Sequence, residues 1–447
     1  MPHFLRGGTV LICEAFRGGV FHFLSDPKDG VAGCYEFFED GLLEVVNGRI
    51  SKLGDAKQLV AELDDSVRIH QYTGKIIFPG FVDTHVHYPQ MAIIASYGES
   101  LLHWLDRYAF DEEMNFGDTE YALNAAEHFF NELLRCGTTT AQVFGTVHPE
   151  SVDAFFSVAE QRDLRMICGK VLMDRNAPEG LLDTPETSYI DSKRLIERWH
   201  GRRRLRYAVS PRFAPTSTQE QLNAASQLLR EYPGIHLHTH LSENKEEIDW
   251  VNSLFPNCKS YLNVYEHAGL LGSRSTFAHC LHLTETDWQI LRDTECSVAF
   301  CPSSNLFLGS GLFDLPRAQS FDVNLGIGTD VGAGNSLSIL QTISDAYKTQ
   351  RLAGSDLSPF SALYMATLGG AKSLDCEADI GNFKIGKEAD FIVLDPESTP
   401  LMKYRTQHSE SLQDTLFGIA LLGDDRAISA TYANGHCVHR RDGDDNV

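Results

Sequence analysis

Phe78-Pro79-Gly80-Phe81-Val82-Asp83-Thr84-His85-Val86-His87 decides how this chain is read. An apolar run begins at Ile76, Pro79-Gly80 punctuates it, and the stretch ends in two histidines one residue apart. Alternate side chains of a β-strand share a face, so a strand ending in His-x-His aims both imidazoles at one point. Zinc and iron take neutral nitrogen donors, at roughly 2.0–2.1 Å for zinc. Two histidines do not complete such a site, and the remaining donors must come from elsewhere in the chain.

Downstream of this stretch, strand-like runs alternate with amphipathic helical stretches. The expected strands span residues 138–144, 165–173, 205–211, 235–241, 275–279, 297–301 and 324–330. Helical patterns lie between them, at 118–136, 151–161, 219–231 and 284–293. With the strand before His85 this makes eight repeats, which suggests an α/β fold of the (β/α)8 TIM-like barrel type. A doubly wound sheet is the competing reading. No Gly-x-Gly-x-x-Gly follows the first strand of a βα unit, and Gly326-Ile327-Gly328-Thr329-Asp330 has the wrong spacing.

Both ends of the chain read as β. Thr9-Val10-Leu11-Ile12 and Leu42-Leu43-Glu44-Val45-Val46 are strand-like, and Asn47-Gly48 is a hairpin signal. After residue 380, Phe391-Ile392-Val393-Leu394 and Ala430-Thr431-Tyr432-Ala433 repeat that character. Residues 1–75 and 381–447 are therefore expected to pair into one small β-sandwich domain flanking a catalytic barrel at 76–380. The polar tail from residue 440 is expected to fray.

In a barrel of this type the chemistry sits at the C-terminal ends of the strands. Strand one delivers His85 and His87. Strand five reads His236-Leu237-His238-Thr239-His240, and only His240 lies at its end; His236 and His238 are expected to be packed, hydrogen-bonded interior residues. Strand six ends at His279, and strand eight ends at Asp330, as a ligand or as acceptor of a proton from bound water. Three histidines and an aspartate leave room for that water, which a metal acidifies towards neutrality. Glu243 is placed either to carry protons or to cap the helix beginning near Asn244; His279 is placed to hold the attacking oxygen.

The formal charge of −23 argues against a nucleic-acid partner but not against a free nucleobase, which carries no phosphate. No apolar run reaches the roughly 18 residues of a membrane span. No charged-then-apolar leader opens the chain, so no membrane partner and a cytoplasmic location are expected. The ten cysteines are scattered without a Cys-x-x-Cys and are expected to be reduced.

The motifs at these strand ends resemble the amidohydrolase superfamily, in its metal-dependent deaminase branch. They are the opening stretch, His238-Thr239-His240-Leu241-Ser242-Glu243-Asn244, Phe277-Ala278-His279-Cys280, Cys301-Pro302-Ser303-Ser304-Asn305-Leu306 and Gly328-Thr329-Asp330-Val331-Gly332. Gly386-Lys387-Glu388-Ala389-Asp390 resembles the segment leading back into the flanking β domain. Tyr88-Pro89-Gln90 and Ser210-Pro211-Arg212-Phe213-Ala214-Pro215-Thr216 narrow the resemblance to the guanine deaminase family. It implies guanine as substrate, hydrolysed to xanthine and ammonia, with Arg212 on the purine carbonyl, Gln90 on the ring edge and Phe213 beside the ring. An arginine donates to a carbonyl and cannot accept from an exocyclic amine, which suits guanine better than adenine.

Strand four carries no lysine of the kind that bridges two metals in binuclear relatives, so one divalent ion per chain is expected, zinc with iron as alternative. The resemblance also implies a homodimer. Between residues 88 and 116 lies a long aromatic connection whose place at the barrel mouth suits a lid. Trp104 within it is a candidate either to stack on the base or to pack the segment down. Another amino-heterocycle deaminase or a triazine hydrolase would share every metal residue and differ around Arg212 and Gln90.

Overall fold

The eight strands of the barrel are Phe81–His87, Thr138–Phe144, Arg165–Gly169, Arg206–Pro211, His236–Leu241, Ser275–His279, Ser297–Phe300 and Asn324–Ile327. Each pairs in parallel with the next in chain order. The structure, a computed structural model, describes residues 4–6, 9–98 and 100–441. The (β/α)8 barrel is the expected one. Its first and last strands meet at their ends, where Asp330 N–H donates to His85 O (2.9 Å) and His87 N–H donates to Val331 O (2.9 Å). Gly326 permits this approach, because a Cβ there would stand 2.2 Å from Thr84 Cγ2.

The helices between strands form for local reasons. Asp118 caps Thr119–Arg135 by accepting from the N–H groups of Glu120 and Tyr121 (2.8 and 3.1 Å). Ala122, Ala126, Phe129, Phe130 and Leu133 then fall at helical spacing and are buried against the barrel. Strand three is shorter than expected. It stops at Gly169, and Val171–Leu172 pairs only with strand four, at Ser210 and Pro211. Lys170 at the break is buried and paired with Asp183.

The two chain ends meet in one seven-stranded sheet. Its order is His436–Arg440, Ile428–Ala433, Phe391–Leu394, Arg68–Pro79, Cys13–Phe23, Tyr35–Val46, Arg49–Asp55. All pairs are antiparallel except Cys13–Phe23 with Arg68–Pro79. The small β domain expected from both chain ends is thus one connected sheet that folds over its own core, with the Phe16 ring 4.8 Å from Phe391 and 4.9 Å from Tyr432. The long strand Cys13–Phe23 changes register at Gly18, and a bulge of that kind lets one sheet bend rather than split. Pairing also crosses the expected boundary at residue 75, since Ile76–Pro79 lies opposite Phe391–Leu394.

Alternation does the joining. Phe391, Val393 and Ile77 fill the sheet's own core, while Ile392, Leu394, Ile76 and Phe78 face the other way into the barrel cluster. A buried ion cluster adds to the junction. Glu388 accepts from Arg165 (2.7 and 3.0 Å) and from Arg204 (2.9 Å), and Arg204 also pairs with Asp390.

The connection after strand one is more regular than the lid loop expected. It is a run of short helical turns, Tyr88–Ile93, Leu101–Trp104, Leu105–Ala109, Phe110–Glu113 and Met114–Gly117, the third of π type. Leu101, Trp104, Leu105, Ala109 and Phe110 recur at helical spacing and bury together, which a loop would not achieve. All ten cysteines are unpaired. Among the described residues no helix is long and apolar enough to cross a membrane. The polar tail beyond Arg441 lies outside the described residues.

Candidate active site and metal centre

Four of the expected donors converge. Ligand atoms of His85, His87, His240 and Asp330 all lie within 4.8 Å of one another. Asp330 Oδ1 is 3.1 Å from His85 Nε2 and 3.3 Å from His87 Nε2, and His87 Nε2 is 3.3 Å from His240 Nε2. The backbone turns at this mouth: His279, at the end of strand six, Ser242, one residue past strand five, and Asp330, three residues past strand eight, take left-handed φ values of 71°, 51° and 50°. Non-glycine residues seldom adopt this conformation, and it turns each chain sharply at the barrel mouth.

The partners of the other ring nitrogens fix which nitrogen faces inward. His240 Nδ1 donates to Arg212 O (2.6 Å), which leaves Nε2 as a lone-pair donor. His85 Nδ1 is hydrogen-bonded to His238 Nε2 (2.7 Å), and His85 Nε2, although buried, has no hydrogen bond of its own. His238 is thus the buried, hydrogen-bonded interior residue expected, with the added task of orienting His85. His236 is also buried, with an unpartnered Nδ1. Phe144 forms a wall under the cluster, its ring stacked 4.7 Å from His87. Asp83 stands behind it, accepting from His85 N–H (3.2 Å) and from both the N–H and the hydroxyl of Thr329.

The electrostatics suit a cation. Burial raises Asp330, but the imidazoles of His85 and His87 outweigh it and hold the carboxyl well below its usual range. Burial lowers His87 to about 4 and also lowers His85 and His240, so all three are neutral near pH 7. Neutral imidazoles, an ionised carboxylate and an orphaned buried Nε2 make a donor set that fits a divalent ion of the zinc or iron class.

Glu243 and His279 stand beside this cluster. His279 Nε2 is 3.4 Å from Glu243 Oε2 and 3.6 Å from Asp330 Oδ2, and its Nδ1 donates to Asn305 Oδ1 (2.9 Å). Burial, with the charge of Asp330 added, pushes the Glu243 carboxyl up to about 8, so it holds a proton at pH 7. It does not cap the following helix. Asn244 does that, and Glu247 closes the capping box by accepting from the N–H groups of Asn244 and Glu243.

The expected substrate residues surround the same mouth. Arg212 is 2 % exposed and Gln90 equally buried. Phe213 packs edge-on to Trp250, at 6.2 Å between ring centres. Trp104 is buried among Leu101, Leu105 and the Phe213 cluster, with its indole N–H donating to Ser96 O (3.2 Å). One residue had no signal in the sequence. Glu113 is 1 % exposed, accepts from Arg212 Nη1 (2.6 Å) on one oxygen and from Gln90 Nε2 (2.9 Å) on the other. Asn305 and Asp83 lie within quoted motifs, but nothing local told of their contacts.

Residues 76–438 match the pattern of the Amidohydrolase family. The chain belongs to this family. As an amidohydrolase it is 52% identical to the guanine deaminase of Escherichia coli (strain K12) over 431 residues, 96% of this chain and 98% of that one. The solved E. coli guanine deaminase superposes on this amidohydrolase with a TM-score of 0.94 and 51% identity, covering 96% of this chain and 100% of the other. The crystal structure of guanine deaminase from C. acetobutylicum with bound guanine in the active site gives 0.86 and 26%, over 96% and 100%.

Proposed function

We infer that this amidohydrolase is a guanine deaminase, hydrolysing guanine to xanthine and ammonia. The end-to-end likeness to the E. coli enzyme carries that reading, and the convergence of donors at the strand ends supports it. His85, His87, His240 and Asp330 hold one divalent ion, with zinc favoured and iron accepted by the same donors. When bound, the ion acidifies water and so provides the nucleophilic oxygen near neutral pH.

Asp330 accepts the proton of the attacking water, and His279, steadied by Asn305, holds the oxygen in place. Glu243 donates its proton to the ring nitrogen beside the amino-bearing carbon as that carbon becomes tetrahedral. The proton taken up by Asp330 passes to the amino group, which leaves as ammonia with the C–N bonding pair, while the added hydroxyl returns a proton to Glu243 and becomes the ring carbonyl of xanthine. Arg212 donates to the purine oxygen, Gln90 to the ring edge, and Phe213 and Trp104 enclose the base. A homodimer is part of the same proposal, resting on the family resemblance alone.

The test is ammonia and xanthine release from guanine by metal-replete protein, with adenine, cytosine and melamine in parallel. Xanthine formation abolished by chelation and sharply reduced by Arg212→Ala is the expected result. Turnover of another amine without guanine would move the function to a sister deaminase.

A further inference from the structure

Arg212 is held from two sides. Its backbone oxygen accepts from His240 Nδ1 (2.6 Å), which ties it to the metal cluster. Its guanidinium is gripped by the helical segment at the barrel mouth: Glu113 accepts from Nη1 at 2.6 Å, and the Phe110 ring lies 5.3 Å beneath Cζ. The same Glu113 carboxylate takes Gln90 Nε2 on its second oxygen, and Gln90 Oε1 accepts from Gly332 N–H (3.2 Å). One buried carboxylate therefore sets the angle between two side chains that come from different strand ends. Each keeps donor capacity to spare, since guanidinium has five N–H groups and a primary amide two.

We propose that Glu113 is the positioning residue for substrate recognition, latching the segment that carries it onto Arg212 and Gln90 so that both are aimed at the purine only while the segment is seated. The proposal deepens the guanine deaminase reading and rests on it for the roles of Arg212 and Gln90. Glu113 acts through them and does not touch the reacting carbon. Without it Arg212 keeps its charge but loses its fixed direction, and the pocket loses its preference for an oxygen at that edge of the ring. Hydrogen bonds to charged groups of this kind are worth roughly 1.5–3 kcal/mol, or about 10- to 150-fold in an equilibrium.

The experiment compares guanine with 2-aminopurine, which keeps the amino-bearing carbon and lacks the oxo group. In Glu113→Ala, KM for guanine is expected to rise roughly 10- to 150-fold, more than kcat falls, while 2-aminopurine is far less affected. Arg212→Ala should erase the same preference. Glu113→Gln keeps an acceptor for Arg212 but sets an N–H against Gln90, so it should fall between. Hydrogen exchange over residues 101–117 reads the latch without substrate, and it should quicken in Glu113→Ala. Losses of equal factor for the two substrates, or none for either, overturn the proposal. Should the unaltered enzyme leave guanine untouched, the functional reading fails by itself. Exchange then decides the latch, quickened exchange supporting it and unchanged exchange overturning it.

Discussion

Nδ1 of His85 lies 2.7 Å from Nε2 of His238, so one imidazole of strand five orients one of the four converging donors, on strand one. The pair is fully buried and aims the unpartnered His85 Nε2 at Asp330. Replacing His238 with Phe removes this hydrogen bond while keeping an aromatic ring in the space. Divalent-metal affinity is expected to fall roughly 10- to 100-fold, as for other lost partners of ligating histidines. Competition against a chromophoric chelator measures it, and unchanged affinity would remove His238 from the account.

In the proposed reaction Glu243 gives a proton away, so it must first hold one. Its carboxyl is pushed up to about 8 by burial and by Asp330. A bound cation draws it down from there. The alkaline limb of kcat/KM is therefore expected at or below about pH 8 in metal-replete enzyme. Glu243→Gln should keep its metal and lose roughly 10²- to 10⁴-fold in turnover. In metal-free protein the raised value contributes stability that is full below the ordinary value near 4.5 and lost as pH rises through about 8. Denaturant midpoints across that window should fall less for Glu243→Gln than for the unaltered chain.

Asp330 supplies the only carboxylate among the four converging donors. A ligand that binds only the folded state stabilises it by about 2.7 kcal/mol at a hundred times its dissociation constant. Added zinc should raise the thermal midpoint of the chelated protein in a concentration-dependent way. Asp330→Asn is expected to flatten that response. A full response in the variant would mean that the ion is held elsewhere.

Glu388 neutralises Arg165 and Arg204 where the chain-end sheet meets the barrel. Its carboxyl is held low, since the two arginines outweigh the burial that raises it. Removing one partner of a buried ion cluster leaves charge uncompensated, at about 3–5 kcal/mol. Glu388→Ala should lower the urea midpoint accordingly, whereas Lys348→Ala, whose ion pair with Asp345 is exposed on the lysine side, should shift it little.

Local spacing made the barrel and its four converging donors legible. The period of two in Asp83-Thr84-His85-Val86-His87 and in His236-Leu237-His238-Thr239-His240 is a property of any strand, so the inward-facing histidines could be named from the chain alone. His279 and Asp330 could be named from their place at the expected ends of strands six and eight, although strand eight stops at Ile327, three residues before Asp330. Tertiary structure decided what periodicity does not encode. Glu113 meets Arg212 across 99 residues and Gln90 across 23, and in the sequence it is one acid in a run of acids. His238 and Asn305 acquire their tasks only because barrel closure sets particular nitrogen and oxygen atoms within hydrogen-bonding distance. The side on which Phe78 and Ile392 bury depends on the register between strands more than 300 residues apart. A strand's own pattern states which residues share a face. Which distant atoms that face will meet is fixed by the packing of the whole chain.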